Sequence, residues 1–495
     1  MLCDAVIVGS GLGGASAALV LAQAGWRVVM VERGRGAHRD AGDWDQRRIV
    51  IERRYGVDTP VLVRQYGARA YQADYPNAVV GGNSVFYGGA AMRLRLADLA
   101  AWPLTYGDLE PHYARAEQLL GVHGAAGADP LEPPRTADYP HPPIALTPPA
   151  QRIHAAAARL GHRPFAVPLA LNFRDASRPL CVRCDTCDGF PCPIRAKNDA
   201  QETLLAAARQ AGLEVVDGVL AARLRLQGDR AAALECRAVG EGRAFEIEAD
   251  TFVLAAGALH SPVLLLRSGL EGRPGSESVG RHLMRHCNAV VVGVFPFRTN
   301  PGRVFHKQVC LTDFYDDRRS QDGAATGVIQ DIYTPSAEVL RHFAPHGVRR
   351  LAGAAAACMQ NLLCIAEDEP RPENAVTLSG ERDRYGLEVP AVDHAYTRGD
   401  LARRDHLVGR ARAILREAGA LFTRRYEIGT FSHAVGTLRV SAAPEDGAVD
   451  PWGRFWGLEN VYVTDGSVFA RSGGVNPSLT IAAFALRAAE ALAAA

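Results

Sequence analysis

The chain has 495 residues, of which 48% are hydrophobic and 22% charged, and a formal net charge of +1. That composition is ordinary for a globular protein long enough to bury two large cores, and the charge balance offers nothing to nucleic acid or an anionic membrane. No apolar run reaches membrane-spanning length, and an apolar strand begins about residue 4, which leaves no room for a signal peptide and makes the cytoplasm the expected compartment.

The first 36 residues read as a complete nucleotide-binding βαβ unit. An apolar strand, 5–8, runs into Gly9, Gly11 and Gly14 in G-x-G-x-x-G spacing, an alanine-rich helix follows to Gly25, and a second apolar strand, 28–31, ends in Glu32. The glycines allow a tight turn, close backbone approach to a pyrophosphate and close packing of helix on strand. The helix N-terminus then faces the phosphates, and the acid can take the ribose hydroxyls. Glu in place of Asp leans toward the adenosine of FAD. No second G-x-G-x-x-G follows a strand later in the chain, so the electrons are expected to come from the substrate and not from a nicotinamide.

Further along, 78–95 packs glycines into an apolar run, as a chain does where its backbone passes close to a ligand. Thr105 and Asp108 form a capping box that opens a helix, and Gly121 stops it. Residues 122–148 are rich in Pro, Gly and Asp and read as loop. A helix over 198–212 leads to strands at LEVV and LAARLRL, and a buried strand at 252 onward breaks at Gly257. From about 288 to 431 the pattern shifts to mixed strands and loops with one clear helix, 400–418. Asn476 and Pro477 carry the start signal of an alanine-rich terminal helix. Only two lysines, Lys197 and Lys307, stand among the 55 basic residues, which reads as coding bias and not as a binding surface.

Four cysteines, Cys181, Cys184, Cys187 and Cys192, stand as C-x-x-C-x-x-C-x-x-x-x-C followed by Pro193. The spacing is one residue longer than a ferredoxin run and lacks the separated knuckles of a zinc site; disulfides are less expected in a reducing compartment. Iron–sulfur, zinc, disulfides and free structural thiols all stay open here. An iron–sulfur centre would send electrons one at a time toward another protein.

Five blocks in order, VIVGSGLGGASAA with VVMVERG, VVGGNSVFYGG, WPLTYGDLEPHYARAEQLLGV, VLAAGALHSPVLLLRSG and HAVGT…VYVTDGSVF…GGVNPSLTIAAFALRAA, resemble the glucose–methanol–choline family of FAD-dependent oxidoreductases from end to end. The resemblance implies a mixed α/β fold: a Rossmann-like FAD domain assembled from 1–120, 196–287 and 432–495, a linker with cysteine-rich insertion at 121–195, and a substrate domain at 288–431 built on a mainly antiparallel sheet. Two departures stand out. Tyr87 occupies a position where the family often has Asn or His, and Glu271 breaks the usual S-G-x-G ending. With no His or Cys between Gly81 and Gly89, covalent flavin attachment there is not expected.

The residues the resemblance places at FAD are Gly9, Gly11, Leu12, Gly14, Glu32, Arg33, Gly82, Asn83, Tyr87, Gly88, Ala221, Ala256, Gly257, Asp465, Gly466, Asn476 and Pro477. Oxidising an alcohol removes a hydride to flavin N5 and a proton from oxygen, and an imidazole with a pKa near ~6.5 suits the second task. His433 in S-H-A-V-G-T matches the family's active-site histidine. Asn476 matches its partner, orienting the alcohol oxygen, although the same residue could serve as a helix cap. His260 and His286 are read as satisfied structural histidines. Among bacterial relatives the chain looks most similar to a branch acting on sugar-like alcohols, including aminoglycoside precursors. The electron acceptor (oxygen, a quinone or dye-like carrier, or a protein) is left open. Two other readings stand beside alcohol oxidation at this point: a flavin-binding electron-transfer or assembly subunit with no substrate of its own, and a non-redox FAD lyase.

Overall fold

The computed structural model describes residues 2–65 and 68–494. Three sheets organise them. The first is built on Leu2–Val8, flanked in parallel by Val28–Glu32 and by the C-terminal half of Ala244–Leu254. Glu214–Asp217 extends it on the far side of Val28–Glu32, and Val461–Val463 lies parallel to Phe252–Leu254. The long strand Ala244–Leu254 does double duty, since its first half pairs antiparallel with Arg230–Ala238, which in turn pairs with Val219–Gln227.

All five residues of Val28–Glu32 are buried, as a strand covered on both faces requires. The helix Leu12–Gln23 is buried almost all round because its small side chains (Gly13, Gly14, Ala15, Ala17 and Ala18) let the sheet, the terminal helix Ser478–Ala494 and Leu204–Gln210 close in on it.

The second sheet is antiparallel throughout, in the order Phe422–Glu427, Ala289–Val294, Met359–Ile365, Val328–Ile332, Val309–Leu311, Phe165–Ala166. Its core of Cys287, Val291, Ile329, Leu362 and Cys364 packs against Leu407, Ala411 and Ile414 of the helix Arg398–Glu417. This is the mainly antiparallel sheet expected at 288–431.

Two pairings cross the expected domain boundaries. Val61–Gln65 lies parallel to Glu388–His394, with Leu62 beside Ala391, so part of the N-terminal piece and part of the expected substrate domain share a third, four-stranded sheet. Phe165–Ala166 joins the antiparallel sheet, so 121–195 is more than linker. Alternating apolar residues mark a strand but not which distant strand it meets.

The capping box stands as read: Thr105 N–H donates to Asp108 at 2.7 Å, Asp108 N–H to Thr105 Oγ1 at 3.3 Å, and Gly121 ends the run at φ +54°. The helix expected over 198–212 is shorter, Leu204–Gln210. Asn198 donates its amide to the Leu120 carbonyl at 2.9 Å, and Asp199 accepts from Arg39 at 2.9 Å and from Glu202 N–H at 3.1 Å, so 198–203 forms an irregular turn that leads into the helix. Among the described residues no helix is long and apolar enough to cross a membrane.

Candidate active site and cofactor cradle

At the carboxyl end of Leu2–Val8 the chain turns through Gly9 at φ +101° and enters Leu12–Gln23 with no side chain capping the helix. The glycines divide by physical reason. A Cβ on Gly13 would run into the Thr464 carbonyl and one on Gly14 into the Gly9 carbonyl, whereas one on Gly11 would meet no protein atom within 4 Å. Gly13 and Gly14 therefore serve packing, and Gly11 faces open space beside the uncapped amides, where a pyrophosphate fits.

Glu32, 8% exposed, accepts from Ser10 N–H at 3.1 Å, Ser10 Oγ at 2.6 Å and Gly34 N–H at 2.8 Å. A carboxylate has about four acceptor positions, so capacity remains for a ribose hydroxyl. Ser10 Oγ also accepts from Gly81 N–H at 2.9 Å, which ties the second glycine segment to the first, and Gly82 lies against the Gly11 backbone.

Gly9, Gly11, Arg33, Gly82, Asn83, Ala221, Ala256 and Gly257 each keep part of their surface accessible, while Leu12, Gly14, Gly88, Gly466 and Pro477 are buried. His260 is satisfied structurally, with Nε2 3.3 Å from the Arg33 guanidinium, and burial lowers its pKa well below the ordinary value. Tyr87 is pinned by its hydroxyl, which donates to the Asn198 carbonyl at 2.6 Å.

Asp465 has a larger part than a contact to the cofactor. Its two oxygens accept from Gly257 N–H, Ser261 Oγ, Ser467 N–H and Ser467 Oγ, so the carboxylate is fully engaged in locking the Gly257 turn to 465–467. Any approach of a ligand here falls to the backbone of Asp465 and Gly466. The residues present fit FAD.

Of the expected catalytic pair, Asn476 closes the loop 471–476, and His433 is linked to that loop through His286. Arg471 Nε donates to Glu367 at 2.9 Å, Gly474 N–H to Tyr315 Oη at 2.8 Å, and Asn476 Oδ1 accepts from Gln330 Nε2 at 2.8 Å. Asn476 is 6% exposed, and its Oδ1 goes to Gln330 and not to the amides of the terminal helix, which leaves the Nδ2 hydrogens as its remaining donors. His433 meets His286 with the two Nδ1 atoms 3.0 Å apart and the rings perpendicular, and His286 Nε2 is 2.9 Å from the Gly473 carbonyl. His286 thus joins the segment carrying His433 to the loop carrying Asn476.

Burial first, then the neighbouring His286 and Lys307, lower the His433 pKa well below the ordinary imidazole value. The ring is held neutral, as a proton acceptor must be. Lys307 is 2% exposed, adopts φ +120° and pairs with Asp188 at 3.1 Å.

Comparison with known proteins bears on this geometry. Models of the GMC oxidoreductase family match residues 75–288 and 370–485, and an FAD-binding domain model matches 2–68. The 6'''-hydroxyparomomycin C oxidase of Streptomyces lividus is 32% identical over 99% of this chain and 91% of its own length. This chain belongs to the GMC oxidoreductase family. The paromamine 6'-oxidase of Streptomyces fradiae is 30% identical over the same shares. Pyridoxine 4-oxidase from Mesorbium loti shares the fold, with a TM-score of 0.71 at 22% identity over 99% of both chains. This GMC oxidoreductase is an FAD-dependent enzyme acting on CH–OH groups.

The cysteine cluster of this GMC oxidoreductase does not assemble a metal site. Among the described residues no group of three or more His, Cys, Asp or Glu is arranged to hold a metal, and Cys181, Cys184, Cys187 and Cys192 are all free thiols. Three of them accept from separate donors: Cys181 Sγ from Arg183 N–H at 3.4 Å, Cys184 from Thr186 Oγ1 at 3.8 Å and Cys192 from Ala196 N–H at 3.3 Å. Burial, and after it the neighbouring cysteines of the same run, push the Cys181 thiol up to about 11 and raise that of Cys187 further. The iron–sulfur and zinc readings are without support.

Two residues beside the site, Gln330 and Lys307, have no site role in the sequence analysis, and His286 has only a structural one. Gln330 carries no signal, and Lys307 carries one as one of two lysines in an arginine-rich chain. The other, Lys197, donates to the carbonyls of Val85, Cys187 and Phe190 at 3.1, 2.8 and 2.7 Å, a converging set that suits a compact ammonium better than a planar guanidinium.

Proposed function

We propose that this enzyme oxidises a hydroxyl of a sugar-like, aminoglycoside-type alcohol, with His433 Nε2 accepting the hydroxyl proton while Asn476 Nδ2 donates to the same oxygen. Bound FAD supplies the hydride acceptor. The observation that carries the reading is the state of His433: a ring held neutral by its surroundings, with its hydrogen bond to the protein made at Nδ1, so that Nε2 is left for substrate. Asn476 cannot act as a base near neutrality; with Oδ1 committed to Gln330 it is a donor, which suits an oxygen gaining negative charge. The substrate class is supported by the two Streptomyces relatives, whose names describe oxidation of paromomycin-type compounds.

Anaerobic titration of the FAD-loaded enzyme with paromamine-type aminoglycosides, followed by flavin absorbance, is expected to bleach the flavin. His433→Ala is expected to retain FAD and slow that bleaching by about 10²–10⁴-fold. Bleaching by short aliphatic alcohols but not by aminoglycosides would overturn the substrate class, and equal rates for variant and wild type would remove His433 from the reaction.

A further inference from the structure

The hydrogen bond between two Nδ1 atoms constrains the protons on both rings. One hydrogen lies between His433 and His286, and the geometry alone does not say whose it is. The other end of His286 decides. Its Nε2 is 2.9 Å from the Gly473 carbonyl oxygen, which can only accept, so Nε2 carries a hydrogen. A neutral imidazole has one N–H, so His286 Nδ1 is a lone pair. His433 must then be the donor, with its hydrogen on Nδ1 and its Nε2 bare.

The only escape is a doubly protonated His286. The ring is 1% exposed, and burial outweighs the opposing pull of Asp368 to keep its pKa below the ordinary value. The groups that face the pair are Asp368 and Asp98 toward His286, and Lys307 toward His433.

The backbone around His286 is built to hold this aim. His286 adopts φ +59°, a left-handed conformation uncommon for a residue with a side chain. Asp368, fully buried, accepts from both Arg285 N–H at 2.9 Å and His286 N–H at 3.0 Å, while Tyr396 Oη donates to the His286 carbonyl at 2.8 Å. His394 Nε2, 3.3 Å from the same carboxylate, helps to hold Asp368 in turn.

We propose that His286 is a positioning residue that fixes His433 as the Nδ1–H tautomer, aiming a bare Nε2 at the substrate hydroxyl. The inference rests on His433 being the base and adds what makes it one. Free histidine favours the opposite tautomer, with hydrogen on Nε2, in which the nitrogen meeting substrate would have no lone pair. The arrangement also completes the proton balance. When Nε2 takes the hydroxyl proton, the resulting imidazolium keeps donating through Nδ1 to His286, and His286 keeps donating to Gly473. No second proton moves.

The test is ¹⁵N NMR of the FAD-loaded enzyme labelled at histidine, with His433 assigned by the loss of its signals in His433→Ala. In the wild type, Nδ1 of His433 is expected to be protonated and Nε2 bare; a protonated Nε2 would overturn the proposal without any variant. His286→Phe keeps a ring but removes the acceptor. It is expected to move the hydrogen to Nε2 and slow flavin reduction by at least about tenfold, since a wrong tautomer can cost as much as about 10⁴-fold. His286→Gln, which keeps one acceptor and one donor, is expected to restore part of both. An unchanged tautomer with unchanged reduction rate in His286→Phe would also sink the idea. Failure of His433 as base is read separately, by the rate of His433→Ala.

Discussion

Replacing Gln330 by Met separates orientation of the active-site amide from stability of the fold. Gln330 is fully buried on Val328–Ile332; its Nε2 donates to Asn476 Oδ1 at 2.8 Å, while its own Oε1 is a buried carbonyl with no partner among the described residues. Met fills nearly the same volume among neighbours that are already sulfur-bearing, Met92 and Cys310. The exchange loses the hydrogen bond to Asn476 and the weak ones to Met92 Sδ and Cys310 Sγ, and leaves Asn476 Oδ1 short of a donor, but it also removes an unsatisfied buried carbonyl. Each such group costs about 1–3 kcal/mol, so the two effects largely offset and the net change in stability is expected to stay within about 1 kcal/mol.

The rate has no such offset. With Gln330 present, a flipped Asn476 amide would turn its NH₂ toward another NH₂; with Met there, the flipped amide is free to form and turns a carbonyl toward the substrate oxygen. Losing an orienting preference of about 0.5–1.5 kcal/mol lets the competent orientation fall from about 70–93% of molecules to about half, a reduction slower by roughly 1.4- to 1.9-fold. Stopped-flow reduction under anaerobic conditions, beside thermal melts of the same preparations, measures both. A reduction rate within experimental error of wild type, or a melting loss large enough to account for the slower rate, would refute the role given to this hydrogen bond.

The glycines of the nucleotide loop predict contrasting losses. Gly13→Ala forces a Cβ onto the Thr464 carbonyl and is expected to destabilise even the FAD-free protein by about 1–3 kcal/mol, whereas Gly11→Ala, which meets only open space, should leave FAD-free melting unchanged and weaken FAD retention. Lys307→Met removes a cation that helps to hold the His433 pKa down, so protonation becomes easier and the acid limb of the reduction rate should move to higher pH; a limb that stays put or moves lower contradicts that placement. Asp465→Asn exchanges an acceptor oxygen for an amide donor at a carboxylate engaged by four donors and is expected to cost about 1–3 kcal/mol, read by thermal melting with and without FAD.

The legible parts of this protein are those whose chemistry is local in the chain. The turn through Gly9, the helix behind it and Glu32 are close enough in sequence that spacing alone conveys their geometry, and the structure shows Glu32 within reach of Ser10 and Gly34. Thr105 and Asp108 are readable for the same reason. His433 and Asn476 were reached only through resemblance, because S-H-A-V-G-T and N-P-S-L-T have equally good readings as a turn and a helix start. The cysteines stay undecided for the converse reason: close spacing is compatible with a chelate and with free thiols alike, and the structure has free thiols, three of which accept from separate donors.

What could not be read is the surroundings of His433 that are proposed to make it a base. His286, Asp368 and Gly473 come from three distant segments, and no period, motif or composition links them before the fold does. Left as a structural histidine, His286 has that reading half right: it is buried and satisfied, and its satisfaction is the mechanism. Because the Gly473 carbonyl takes its one hydrogen, the other nitrogen can only accept, and that obligation passes to the ring next to it. A backbone carbonyl thereby sets the protonation of a side chain it does not touch, and the loop that supplies it ends three residues later in Asn476. In the proposed reaction, the donor and the acceptor for one substrate oxygen both depend on the same short stretch of chain, so a shift of 471–476 would disturb both together.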